Sequence, residues 1–140
     1  MMHEVLILHA AVTWMLTGLI WTIQIVHYPL FEQAGEDGFV HYHAHHMRRI
    51  TWVAGPLMLA EACSAALLFF LGERSPCFNL GLVALAVVWI STLLFQVPLH
   101  DRLTRGYDRK TIRRLTFTNG IRTLGWTLRA GCLLLMLRPG

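Results

Sequence analysis

Apolar positions gather into four long runs, at about residues 5–28, 51–71, 79–99 and 116–137, separated by polar segments. Each run is close to the ~20 residues that an α-helix needs to cross the hydrocarbon core of a bilayer. None alternates apolar and polar with a period of two, which excludes a membrane β-barrel. The pattern predicts an all-α, integral membrane four-helix bundle, one domain over residues 1–140. The first run is longer than a signal-peptide core and has no basic region ahead of it, so it reads as a retained helix.

Composition agrees. The chain is 55% hydrophobic and 14% charged, with mean hydropathy +0.50, whereas a soluble domain carries about 25% charged residues. The net charge of +4 becomes informative once it is placed. Segment 29–50 carries Arg48 and Arg49, and segment 100–115 carries Arg102, Arg105, Arg109, Lys110, Arg113 and Arg114. The intervening and terminal segments hold only Arg74 and Arg138. By the positive-inside rule both basic segments face the cytoplasm and both termini lie on the outer side. This predicts a multi-pass protein of the bacterial inner membrane. The basic edge also suits anionic lipid heads, and no nucleic-acid motif accompanies the charge, so no nucleic-acid partner is expected. The three cysteines form no CxxC motif. Cys63 and Cys132 read as small apolar fillers, and Cys77 falls in an outer loop without an evident partner.

The two halves look alike. Pro29-Leu30, Gly38-Phe39 and Arg48-Arg49-Ile50-Thr51 are matched by Pro98-Leu99, Gly106-Tyr107 and Arg113-Arg114-Leu115-Thr116. Trp21 and Trp89 precede the two prolines. Two repeated hairpins crossing in the same direction would give this pattern. The common need for arginine at a cytoplasmic edge would give part of it.

Polar residues inside the runs carry the candidate chemistry. At about 100° per residue, His9, Thr13, Thr17, Gln24 and His27 form one stripe on the first helix. Glu61 is the costliest residue, near mid-bilayer, and calls for a partner. Arg129 in the fourth run sits at matching depth, so a structural Glu61–Arg129 ion pair is expected. Asn119, Arg122, Trp126 and Arg129 share one helical face. Arg122 then needs an anion of its own: a buried acid, a lipid phosphate, or an anionic or quinone-like ligand.

Residues 39–49 hold His41, His43, His45 and His46. In a helix, His43 and His46 form an i, i+3 pair able to share a metal, with Phe39, Tyr42 and Ile50 on the same face. His41 and His45 fall on a neighbouring, more solvated face. The topology brings His27, Gln96 and His100 to the same level, beside Asn119 and Arg122. The expected metal ligands are therefore His27, His43, His46 and His100, holding iron or copper. Gln24, Gln96 and Trp126 are the further candidates for cofactor contact. Tyr42 is assigned as a proton relay, and Asn119 and Arg122 as fixed donors for a developing enolate or phenolate oxygen. Pro29 and Pro98 are expected to end or kink their helices there, freeing backbone carbonyls. Asp101 is expected to hold the neighbouring His100 ring, and Glu32, Glu36 and Asp37 to belong to a solvated loop. The plainer alternative is that interfacial histidines cap helices or meet lipid heads.

The second half, through Gln96-Val97-Pro98-Leu99-His100-Asp101 and Asn119-Gly120-Ile121-Arg122-Thr123, resembles the small four-helix membrane proteins that include the anthrone oxygenases. That group shows Asn-x-Pro-Leu-Asn at the end of its third helix and Asn-x-x-Arg-Thr opening its fourth; here Gln96 and His100 replace the two asparagines of the first motif. The resemblance implies a four-helix bundle and oxygen-dependent oxidation of an aromatic substrate. Together these readings point to a membrane oxidoreductase-like protein acting on a lipophilic aromatic or quinone-like molecule, as a homo-oligomer or within a larger membrane complex. The alternative is a non-enzymatic accessory subunit, or a cofactor- or lipid-binding one; a small transporter using Glu61 and Arg129 is a third.

Overall fold

The computed structural model describes residues 1–138, and every element among them is helical. Four long helices follow one another: α1 (Met2–Phe31), α2 (Phe39–Phe70), α3 (Pro76–Leu103) and α4 (Arg109–Met136). The first three are long and apolar enough to cross a membrane. The fourth has 28 residues and is less apolar than these three, since it carries Asn119, Arg122 and Arg129 along its length. Its inner face is given to Asn119, Arg122, Thr123 and Arg129, all buried against the other helices.

The helices also overrun the apolar runs at the basic end. The polar stretch before Thr51 is mostly the first three turns of α2, which starts at Phe39 after Gly38 in a left-handed conformation (φ +77°). Polarity marks where a helix leaves an apolar medium, not where its backbone hydrogen bonds stop. Side chains cap two other starts: Ser75 Oγ accepts from Phe78 N ahead of α3, and Asp108 accepts from Lys110 N and Thr111 N ahead of α4.

Both α1 and α3 contain one wide turn, at Ile23–His27 and Thr92–Gln96. In each, the residue before the proline donates five residues back, Tyr28 to Ile23 and Val97 to Thr92. Pro29 and Pro98 have no N–H and would press on a carbonyl four residues earlier; widening the turn relieves that contact without ending the helix. The expected break at each proline is thus a π-helical turn, and helix continues to Phe31 and Leu103.

The wide turns reset which residues face inward. On α1 the buried series runs Leu16, Ile20, Ile23 and then Tyr28 and Phe31. On α3 it runs Leu85, Val88, Ser91 and then Gln96, Leu99 and Leu103. One extra residue per turn therefore turns Tyr28 and Gln96 into the interior.

α2 packs on α1, α1 on α4, and α4 on α3. α2 and α3 are consecutive in sequence but are not a closely packed pair, so the ring of helices is open between them. α3 and α4 approach tightly at Gly125, where a Cβ would stand 2.6 Å from Val88 Cγ2. The two turns at the basic end meet. Tyr107 OH donates to the Glu32 carbonyl at 2.9 Å, and Arg109 Nε and Arg113 Nε both lie 3.1 Å from Glu32 Oε2. The hydrogen bond from Arg109, and then that from Arg113, hold the Glu32 carboxyl below its ordinary range. Glu32 is thus not a free loop acid but the clasp between the hairpin turns.

Candidate functional site

All four helices send polar side chains to one level at the basic end. α1 supplies His27 and Tyr28, α2 His43 and His46, α3 Gln96 and His100, and α4 Asn119 and Arg122. His27 Nε2 lies 2.6 Å from His46 Nδ1. His43 Nε2 lies 3.0 Å from His100 Nδ1, and the other nitrogen of His100 is 3.0 Å from Tyr28 OH. Tyr28 OH donates to Gln96 Oε1 at 3.4 Å, and Gln96 Nε2 donates to Thr118 Oγ1 at 3.0 Å.

This chain has one polarity in which every donor finds an acceptor. His43 Nε2–H donates to His100 Nδ1, His100 Nε2–H to the Tyr28 oxygen, and Tyr28 O–H to Gln96. The leftover atom is then His43 Nδ1, an imidazole lone pair that is buried without a partner. A lone pair held that way accepts a proton or binds a metal.

The four histidines named as metal ligands are therefore brought together, but in two pairs. Rings of His43 and His100 stack at 5.3 Å, and His46 stacks on His100 at 6.2 Å. Among the described residues no three His, Cys, Asp or Glu stand in metal-holding geometry. Two nitrogens bound to one ion at about 2.05 Å and tetrahedral angle stand ~3.3 Å apart. The His43–His100 pair would need to part by a few tenths of an ångström, and the His27–His46 pair by more.

Several assignments change. Tyr42 is not in the network: it is exposed and packs edge-on against Phe31 at 5.7 Å. The phenol that joins the histidines is Tyr28, which periodicity missed because the wide turn rotates it inward. Gln24 is a fastener between α1 and α4. Its Oε1 accepts from Asn119 Nδ2 at 2.9 Å and its Nε2 donates to the Thr116 carbonyl at 3.1 Å. Trp126 is buried and donates from Nε1 to Glu61 Oε2 at 2.9 Å, so it serves the ion pair instead of a cofactor. Asp101 points away from the His100 ring and pairs with Arg105 at 2.9 Å on the surface. His41 and His45 pair with each other, rings 4.5 Å apart, at the edge of the bundle.

The open side of the helix ring forms a cleft of about 440 Å³ between α2 and α3. Ile50, Ala54, Met58 and Val97 give it apolar walls, and Tyr28, His46, Gln96, His100 and Arg122 line its polar part. A second cleft, of about 560 Å³, opens between α1 and α2 beside His27, Tyr42 and Arg49. Ile23, His46 and Ile50 line both, so together they stand as the partition. An apolar cleft with a few convergent polar groups is the usual form of a small-molecule site, commonly about 300–1,000 Å³.

A second polar cluster lies toward the other end. Arg129 Nε donates to Glu61 Oε1 at 3.0 Å, and Thr13 Oγ1 donates to the same oxygen at 2.8 Å. Arg129 also donates to the Gly81 carbonyl and approaches His9 Nε2 at 3.1 Å. His9 Nδ1 in turn lies 2.7 Å from Ser64 Oγ. Every charge here is answered, which makes it a fastener. The sequence stripe found His9 and Thr13, but Ser64 and the Gly81 carbonyl carry no signal in the sequence.

No family model, curated protein or solved structure matches this chain.

Proposed function

We propose that this chain is a membrane-embedded oxidoreductase-like protein that takes a lipophilic aromatic or quinone-like substrate into the α2–α3 cleft. Its histidine-rich end faces the cytoplasm and both termini face outward. The observation that carries this reading is the cleft itself, apolar along its walls and met by imidazole, phenol, amide and guanidinium groups from all four helices. Three helices long and apolar enough to span a bilayer support the membrane setting. So does the wide exposure of large apolar side chains, with Trp52 at 77% and Phe117 at 85%. The eight basic residues of segments 29–50 and 100–115 all fall at the histidine end.

His43, His46, His100 and His27 would hold an iron or copper ion there if the two pairs parted, and their meeting at one level supports that assignment. The metal would supply one-electron or oxygen chemistry. The protein's own part is to hold the substrate head at the polar end and to pass a proton along Tyr28, His100 and His43.

Elemental mass spectrometry of protein purified in mild detergent, without a His tag, tests the metal assignment. The expected result is near-stoichiometric iron or copper, lost in the His43→Ala, His46→Ala double variant while helicity is kept. Metal retained by that variant, or absent from the wild type, overturns the ligand assignment. A metal-free wild type that co-purifies with other subunits points to an accessory subunit.

A further inference from the structure

Arg122 carries a charge that no anion among the described residues answers. The residue is 8% exposed. Its Nη1 donates to the neutral Asn119 Oδ1 at 3.1 Å, while its Nε is buried with no partner. Among the described residues no carboxylate lies within ion-pair distance of it; the acids in ion pairs serve other cations. The other buried arginine, Arg129, shows the contrast, since it has Glu61, His9 and the Gly81 carbonyl. A guanidinium keeps its charge and offers five N–H donors. Burying one without an anion is costly, and proteins avoid it unless a ligand supplies the anion.

The position of Arg122 says where that anion belongs. Its guanidinium carbon sits 5.2 Å from the Trp126 ring centroid on one side. On the other side it lines the α2–α3 cleft. Beside it the Gln96 amide lines the same cleft, and the Tyr28 hydroxyl oxygen is a neutral acceptor close to the guanidinium. Asp101, the acid that also lines this cleft, is held by Arg105. Away from Arg122 the cleft walls are apolar, with Ile50 and Met58 among them.

We propose that the cleft binds a lipophilic monoanion, its apolar body between α2 and α3 and its ionised oxygen against Arg122. This rests on the cleft being the ligand site, as read above, but needs neither a metal nor turnover. A long-chain carboxylate and an ionised hydroxyquinone share this chemistry.

Equilibrium dialysis of the full-length protein in an uncharged detergent tests it. The probes are hexadecanoate and a 3-alkyl-2-hydroxy-1,4-naphthoquinone, each compared with its neutral methyl ester or methyl ether. At least one anion should bind about tenfold tighter than its neutral counterpart, as a charged hydrogen bond in a dry site requires. Which anion shows the preference separates carboxylate from hydroxyquinone. The preference should fall to about twofold or less in Arg122→Gln and survive in part in Arg122→Lys. Equal binding of anion and neutral form by the wild type, or an unchanged preference in Arg122→Gln, overturns the proposal. If Arg122→Gln does not fold, a diazirine-bearing hexadecanoate photoprobe replaces it. Labelling of Ile50 or Met58 supports the site, and labelling confined to other faces overturns it. Anion preference in metal-free protein would leave this inference standing while the metal assignment fails. Metal without the preference would do the reverse.

Discussion

Glu61 shows what a buried charge requires of its neighbours. Its carboxylate accepts from Thr13, Trp126 and Arg129, donors from two other helices. Removing Arg129 would leave that carboxylate buried with only neutral donors. Arg129→Leu should therefore cost about 3–5 kcal/mol, as for other broken buried pairs. Adding Glu61→Gln should recover part of the loss, because the uncompensated charge goes with it. Thermal unfolding in detergent measures both; a double variant no more stable than the single would show that the pair is not the cause. The depths of Glu61 and Arg129 can be counted from the helix edges, so this pair is legible in the sequence. The partners of Gln24 are not, because an amide accepts any nearby donor or acceptor and carries no complementary signature.

At the scale of elements, the two π-helical turns matter most. Both begin six residues before a proline, at Ile23 and Thr92, and both put the following inward residue one position later than a regular helix would. The shared feature goes with the matched prolines of the two halves, Pro29 and Pro98. It also explains why Tyr28 rather than Tyr42 joins the histidines. Proline announces a disturbed turn, but whether the helix breaks, kinks or widens depends on what packs around it. Close packing of α3 on α4 gives a second test. Gly125→Ala would place a methyl carbon 2.6 Å from the side chain of Val88, which is fully buried and stiff at its branch. We expect a loss of about 1–3 kcal/mol, largely relieved by Val88→Ala in the same chain. Unfolding midpoints of the single and double variants decide it. An unchanged Gly125→Ala midpoint would mean the helices can part without cost.

For the whole molecule, the open α2–α3 side sets the character of the protein. A closed ring would have left no cleft and no reason for Arg122 to be buried beside one. The proposed orientation in the membrane rests on the placement of the basic residues. Alkaline phosphatase fused after the last residue, or inserted in the turn at Arg74, should be active, since both lie on the proposed outer side. The same enzyme inserted at Arg105 should be inactive. The opposite pattern would invert the topology and place the histidine end outside. Apolar run length and the side of the basic residues suffice to read helical class, helix number and the end at which the histidines gather, because each is a one-dimensional property of the chain. The continuation of α2 through residues 39–50, the inward turn of Tyr28 and Gln96, the pairing of the four histidines and the isolation of Arg122 are of another kind. Each depends on helix rotation and on which helices touch, and those are set by wide turns and by packing between residues far apart in the chain.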